Sequence, residues 1–215
     1  MTDMDDSGAP LHGAVAQLTA MKAGDSALQT YAAWAPRYEA DLMDDYGYIA
    51  HTIAAKALAL ACPNQDVEVA DLGCGTGLVA EALHALGIAT IDGFDASAEM
   101  LEQANVKNLY RKLHQVDLTD VTQMPQAQYD AAIAVGVFGN GHVGPQSLAC
   151  FVQPVKPGGK IVLYANGIPY VDDDYPSHLR RLEAQGIWHV DYTEQSNYMA
   201  KIDRPGWLVV ATRCG

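Results

Sequence analysis

Between residues 67 and 164, short apolar runs alternate with helical stretches, and this alternation limits the folds open to the chain. Residues 67–72 (VEVADL), 88–95, 113–116, 129–135 (YDAAIAV) and 160–164 read as strands. The intervening helices span 77–86, closed by Gly87, then 97–105, opened by Ser97 as N-cap with Glu99 and Glu102 near its start, and 146–153. An Ala-rich helix over 49–61 precedes the series and stops at Cys62-Pro63-Asn64. Strands this apolar are buried on both faces, which calls for helices above and below a mostly parallel sheet. The end of the chain departs from the pattern. Residues 188–197 and 207–212 are strand-like, with Asp203-Arg204-Pro205-Gly206 just before the second, and predict an antiparallel hairpin added to that sheet. Residues 1–27 read as a tail with a short helix, and 28–215 as one domain.

A chain of 215 residues can bury a full core without disulfide or metal staples. With 49% hydrophobic and 18% charged residues it is neither a disordered nor a fibrous sequence. Its 26 acidic against 13 basic residues leave a formal charge of −13. Nucleic acid normally demands a basic face, so no nucleic-acid partner is expected, and an anionic membrane surface is disfavoured for the same reason. Cys62, Cys74, Cys150 and Cys214 form no CxxC pair and no zinc-ligand spacing with the histidines; they read as reduced thiols, with no metal expected. The acidic start, MTDMDDSGAP, lacks the plan of a secretory signal. The longest apolar stretch, 131–138, is far short of the roughly 18 residues that a spanning helix needs. A soluble, cytoplasmic protein is the expectation.

The strongest local signal is Asp71-Leu72-Gly73-Cys74-Gly75-Thr76-Gly77, where the first strand ends and a helix opens. Glycines there allow a tight turn and close approach to a ligand, and the helix start offers free N–H groups. The dinucleotide fingerprint GxGxxG would need glycine at 78, where Leu78 stands. About twenty residues further, at the end of the second strand, Asp95 in Gly93-Phe94-Asp95-Ala96-Ser97 is placed to accept from both hydroxyls of a ribose. Asp117-Leu118 follows the third strand, where an adenine edge would lie; Asp117 also fits a plain surface acid. Lys156-Pro157-Gly158-Gly159-Lys160 reads as a turn into the fifth strand.

DLGCGTG, GFDAS, VDL and VKPGGK, in this order and each expected at a strand's carboxyl end, resemble a class I S-adenosylmethionine-dependent methyltransferase over roughly residues 28–165. The opening YAAWAPRYEADL and the segment VGVFGNGHV further resemble the methyltransferase-like proteins named for the Williams–Beuren syndrome region. The resemblance implies an α/β fold with a seven-stranded, mostly parallel Rossmann-like sheet, and methyl transfer from S-adenosylmethionine, with S-adenosylhomocysteine as product. It also implies roles. The backbone of Gly73, Gly75 and Gly77 would hold the methionyl part, and Asp71 would pair with its ammonium. Asp95 would take the ribose, Ala96 and Met100 would flank the adenine, and Asp117 with the Leu118 N–H would meet the adenine edge. Gly136 and Val137 would lie where the methionyl amine ends and the acceptor begins. The stretch from Gly136 to His142 lacks the NPPY-type signature of relatives that methylate amines and amides in macromolecules. That departure favours a small-molecule acceptor.

In some small-molecule relatives a histidine after the fourth strand works with a lid tyrosine to take the acceptor's proton; His142 and Tyr31 match those places. A histidine suits that task near neutral pH, and His142 equally fits a structural loop residue. Tyr31, Trp34 and Tyr38 fall on one helical face. They would either dock residues 28–48 on the core or form an aromatic lid, with Tyr31 reaching the cofactor. Aromatic faces attract cations, and the negative field of the chain disfavours anionic acceptors, so a neutral or cationic small molecule is expected. Asp172-Asp173-Asp174 reads as a solvated loop. Two alternatives remain at this level: a non-catalytic module that binds S-adenosylmethionine, and an NAD(P)-dependent oxidoreductase on a Rossmann-like sheet.

Overall fold

The computed structural model describes residues 11, 13–21, 27–138 and 143–215. Its described strands, β1 (Glu68–Leu72), β2 (Thr90–Asp95), β3 (Lys112–Gln115), β4 (Tyr129–Val135), β5 (Val155–Asn166), β6 (Trp188–Asn197) and β7 (Pro205–Arg213), form a seven-stranded sheet in the order β3-β2-β1-β4-β5-β7-β6. The first five strands run parallel, and β7 inserts antiparallel between β5 and β6. The expected mostly parallel sheet with a C-terminal antiparallel pair is what the chain forms.

Successive strand residues alternate between two cores. Val69, Ile91, Ile133 and Val162 face one, Ala70, Phe94, Ala132 and Leu163 the other. This is why β4 reads as a continuous apolar run over Ala131–Val135. The first core is covered by α4 (Ala50–Ala61) and α5 (Leu78–Ala85), with α1 (Gly13–Thr19), α2 (Leu28–Trp34), α3 (Tyr38–Ala40) and a π-helical segment Asp41–Tyr46 closing over its edge. On the second lie α7 (Leu148–Val152), α8 (Gly167–Asp172) and α9 (Tyr175–Ala184). The remaining helix, α6 (Ala98–Val106), packs beside β2 and β3. Ser97 caps it as its sequence predicts, its Oγ accepting from the Met100 N–H at 3.3 Å.

Three local expectations change. Pro157-Gly158-Gly159 is not a turn ahead of β5 but an irregularity inside it: pairing jumps from Tyr129↔Val155 to Ala131↔Lys160, so the intervening residues bulge out. The continuous helix implied by Tyr31, Trp34 and Tyr38 ends at Trp34, and a tighter turn from Ala35 to Arg37, with Pro36 near its start, follows. Asp172–Asp174 is a junction rather than a loop: Asp172 ends α8, and Asp174, at φ +51°, is the N-cap of α9.

The segment after the π-helical turn is stitched to the β6–β7 connection. Ile49 N–H donates to the Tyr198 carbonyl at 2.9 Å, Ala200 N–H to Gly47 at 2.9 Å, and Lys201 N–H to Tyr46 at 3.1 Å, around a Tyr48↔Met199 bridge. These bonds hold the two far ends of the sequence together as one roof over the tips of β4 and β5.

Candidate active site

The turn after β1 is shaped by its glycines. Gly73, at φ +80°, donates its N–H to the Phe94 carbonyl at 2.7 Å, which presses the loop against β2. A Cβ on Gly73 would lie 1.9 Å from Val137 Cγ1, so only glycine fits. At Gly75, φ +52°, a Cβ would meet nothing within 4 Å, since this residue faces an open cleft. Its N–H donates to Asp95 Oδ2 at 2.8 Å, while Asp95 Oδ1 accepts from the Ser97 N–H at 2.9 Å. Burial pushes the Asp95 carboxyl up, against the pull of the N–H groups of Ser97, Gly75 and Ala96.

A cleft of about 370 Å³ opens above the tips of β1, β2 and β4. Its wall brings together Tyr31, Gly73, Gly75, Asp95, Ala96, Met100, Asp117, Leu118, Gly136 and Val137, residues drawn from five separate stretches of the chain. Ala27, Leu28, Tyr38, Ser97 and Thr119 also line it, and no sequence signal singled these out for the cofactor. Asp117 is exposed at the rim, its Oδ1 accepting from the Thr119 N–H at 2.8 Å and hydroxyl at 2.7 Å.

Two of the sequence candidates stand behind this wall. Gly77, at φ +96°, leads into α5 and packs toward Tyr110 and Lys107. Asp71 is fully buried; its Oδ2 accepts from the Tyr110 hydroxyl at 2.7 Å, and its Oδ1 has no hydrogen-bond partner among the described residues. Burial, reinforced by Asp95 and opposed by the Tyr110 bond, pushes the Asp71 carboxyl up to about 7. An acid raised in the fold above its unfolded value stabilises the fold fully at acid pH, and that contribution fades as pH rises through the folded value. Asp71→Asn is therefore expected to flatten the fall in stability of the ligand-free protein between about pH 4 and 7, a slope of up to about 1.4 kcal/mol per pH unit. Melting temperatures of both proteins across that range test this; parallel curves would refute it.

His142 lies outside the described residues, as does the rest of 139–142. Tyr31 belongs to an aromatic cluster, with ring centroids 6.2 Å from Trp34 and 6.0 Å from Tyr38, and Trp34 meets Tyr38 edge-on at 4.8 Å. Trp34 Nε1 donates to Asp41 Oδ2 at 2.7 Å, fixing the indole. Lys107 bridges Glu39 at 2.5 Å and Glu81 at 2.9 Å, tying α3 to α5 and α6. Behind the cluster sits a second cavity of about 120 Å³, which shares Tyr31, Tyr38 and Gly136 with the cleft. Its wall includes Val15 and Leu18 of α1, Leu42, Tyr48, Asn166, Tyr198, Met199 and Arg204. Burial, seconded by neighbouring phenols or by Asp95, pushes the phenols of Tyr31, Tyr38 and Tyr48 well above their usual value.

The cleft suits an adenosyl sulfonium on its own geometry. Asp95 and Asp117 present acceptors, Asp71 keeps an unsatisfied buried oxygen behind the loop, and Gly75 leaves space that a side chain would fill. The comparisons with known proteins point the same way. A family model described as a methyltransferase domain matches residues 70–163. Methyltransferase-like protein 27 of Homo sapiens is 34% identical over 168 residues, covering 75% of this chain and 67% of that protein.

The chain belongs to the class I S-adenosylmethionine-dependent methyltransferases.

S-adenosylmethionine is the cofactor of this methyltransferase. Its fold is similar to that of the [4+2]-cyclase SpnF, with TM-score 0.67 and 14% identity over 90% of this chain and 98% of that one. It is also similar to the magnesium protoporphyrin IX methyltransferase of Synechocystis PCC 6803 with bound SAH, with TM-score 0.56 and 16% identity over 78% and 84%. The oxidoreductase alternative falls with the family assignment. Leu78, where a dinucleotide fold would place its third glycine, is instead the buried first residue of α5. Among the described residues, no helix is long and apolar enough to cross a membrane.

Proposed function

We propose that this methyltransferase methylates a small molecule held in the second cavity, by in-line displacement at the cofactor. The observation that carries this reading is the shared wall: Tyr31, Tyr38 and Gly136 border both the cleft and the smaller cavity behind it. A cavity of roughly 150 Å³ accommodates one benzene ring, so the smaller 120 Å³ here suits a short-chain acceptor, or a ring that projects partly into the cleft it opens onto. Bound in the cleft, S-adenosylmethionine supplies a methyl group already activated on a positively charged sulfur.

The residues of the chain are left with holding, aligning and drying. In this reading Asp95 takes the ribose hydroxyls, Ala96 and Met100 sandwich the adenine, and Asp117 with Leu118 reads its edge. Gly73 and Gly75 border the methionyl pocket, with Gly136 and Val137 at its acceptor side; Gly77 turns the loop into α5 behind them, and Asp71, when deprotonated, adds negative charge from behind the loop that favours the ammonium. The Tyr31–Trp34–Tyr38 cluster excludes water, and Trp34 is buried in support of that task. Alignment alone is worth effective molarities of about 10⁵–10⁸ M. Tyr31 keeps its proton at neutral pH and so serves as a donor that positions the acceptor, which leaves His142 as the group to receive a proton.

Radiolabelled methyl groups from the cofactor, offered with a fractionated cell extract, are expected in the small-molecule fraction. Label confined to protein or nucleic acid would overturn the proposal. His142→Ala is expected to lower methyl transfer about 10²–10⁴-fold with S-adenosylhomocysteine affinity unchanged, if the acceptor must lose a proton. Near-normal turnover would remove the base role.

A further inference from the structure

We propose that Tyr48 is a further catalytic residue, whose hydroxyl meets the transferred methyl group and the accepting atom at the neck between the cleft and the second cavity. This rests on the reading of that cavity as the acceptor site.

The neck is marked by Gly136, which follows β4 at φ +73° and borders both the cleft and the cavity. The Tyr48 hydroxyl oxygen lies 3.2 Å from the point where a Cβ on Gly136 would stand. Tyr48 itself is 7% exposed and lines the cavity. The hydroxyl therefore stands where the two spaces join.

The rest of the residue is held from several sides. Its N–H donates to the Leu42 carbonyl at 3.2 Å, and its backbone bridges to Met199 in the roof. Its ring stacks on His51, with centroids 5.6 Å apart at 18°, and meets Tyr198 edge-on at 6.1 Å. A buried phenol normally finds a hydrogen-bond partner. The Tyr48 hydroxyl has none among the described residues. A hydroxyl fixed in this way is satisfied by what enters the neck, which is water in the empty site and the reactants in the loaded one.

Its chemistry suits that place. Burial, seconded by the phenols of Tyr38, Tyr198, Tyr31 and Tyr164, pushes the hydroxyl well above its usual value, so it keeps its proton at neutral pH. A neutral phenol offers one donor and two acceptor lone pairs. The hydrogens of a methyl group on a sulfonium are polarised, and a phenol oxygen attracts them as weak C–H···O contacts. The O–H meanwhile donates to a lone pair of the accepting atom that is not attacking the methyl. Both contacts hold acceptor and methyl in line. Tyr48 forms no covalent bond and takes up no proton, so its role adds to that of His142 and does not replace it.

Sinefungin tests this without any acceptor. It carries a carbon with an amine where the cofactor has sulfur and methyl; the amine is charged at neutral pH and stands in the methyl position. S-adenosylhomocysteine has nothing there. Calorimetry on the full chain should find sinefungin bound more tightly than S-adenosylhomocysteine. Tyr48→Phe keeps the ring and removes only the oxygen. It should lower sinefungin affinity about 10–100-fold, the range of one hydrogen bond to a charged group, and leave S-adenosylhomocysteine affinity within about threefold. Equal affinity for the two ligands in the unmodified protein overturns the proposal. So does a sinefungin preference that survives in Tyr48→Phe, or an equal loss of both ligands, which would make Tyr48 a structural residue. Should Tyr48→Phe fail to fold, the order of the two ligands on the unmodified protein decides. Label transfer to small molecules tests the acceptor reading by itself, so failure of this contact is distinguishable from failure of that reading.

Discussion

Asp95→Ala is expected to cost this methyltransferase about 10²–10⁴-fold in affinity for S-adenosylhomocysteine. Hydrogen bonds to a charged group contribute about 1.5–3 kcal/mol each, and a ribose offers two hydroxyls to one carboxylate. Asp95 also accepts from the N–H groups of Gly75 and Ser97, so part of the loss will come from a looser loop. Asp95→Asn separates the contributions. An amide can still accept on its oxygen from one of those N–H groups, but carries no charge for the ribose. Calorimetry should rank the unmodified protein above Asp95→Asn and Asp95→Ala, with far-ultraviolet circular dichroism little changed. Affinity within about threefold of the unmodified protein in Asp95→Ala would remove Asp95 from the cofactor site.

The second large effect is expected at Gly73. Alanine there must adopt φ near +80°, which costs an L-residue roughly 1–2 kcal/mol, and must push Val137 away from a contact of 1.9 Å. Overpacking of that kind adds about 1–3 kcal/mol. Gly73→Ala should therefore lower stability by about 2–5 kcal/mol in urea unfolding and close the cleft at the acceptor side. Val137→Ala in the same chain should restore only the packing share. Gly75 provides the contrast, since its Cβ position is open. Gly75→Ala should lose only about 1–2 kcal/mol of stability for its φ of +52°, yet fill space in the cleft and weaken cofactor binding. If Gly73→Ala unfolds at the same urea concentration as the unmodified protein, the close approach of Val137 is not a real constraint.

How much was legible before the structure follows from how local each signal is. The glycine loop, the carboxylate at the tip of β2 and the Ser97 cap are written within a few residues, because turn geometry and capping are decided there. The double-sided burial of β4 is equally readable, since each residue of YDAAIAV must suit one face or the other. Pro157-Gly158-Gly159 misled for the converse reason: Pro and Gly signal a break in a strand, and only the Tyr129↔Val155 pairing on its far side shows that the strand resumes. Tyr31, Trp34 and Tyr38 were read as one helical face; the helix breaks, yet the rings still meet because packing against the core holds them.

The order of elements, the parallel sheet and most of the cleft wall were thus determined by sequence alone, through periodicities and turns that span a few residues. The second cavity was decided by tertiary structure alone. Val15, Tyr48, Asn166 and Arg204 carry no shared pattern and come from opposite ends of the chain. They meet because β7 inserts antiparallel beside β5 and carries its preceding connection back onto residues 46–49. Non-local burial, rather than any local preference, is also what turns Arg204 from a turn residue into a buried cation.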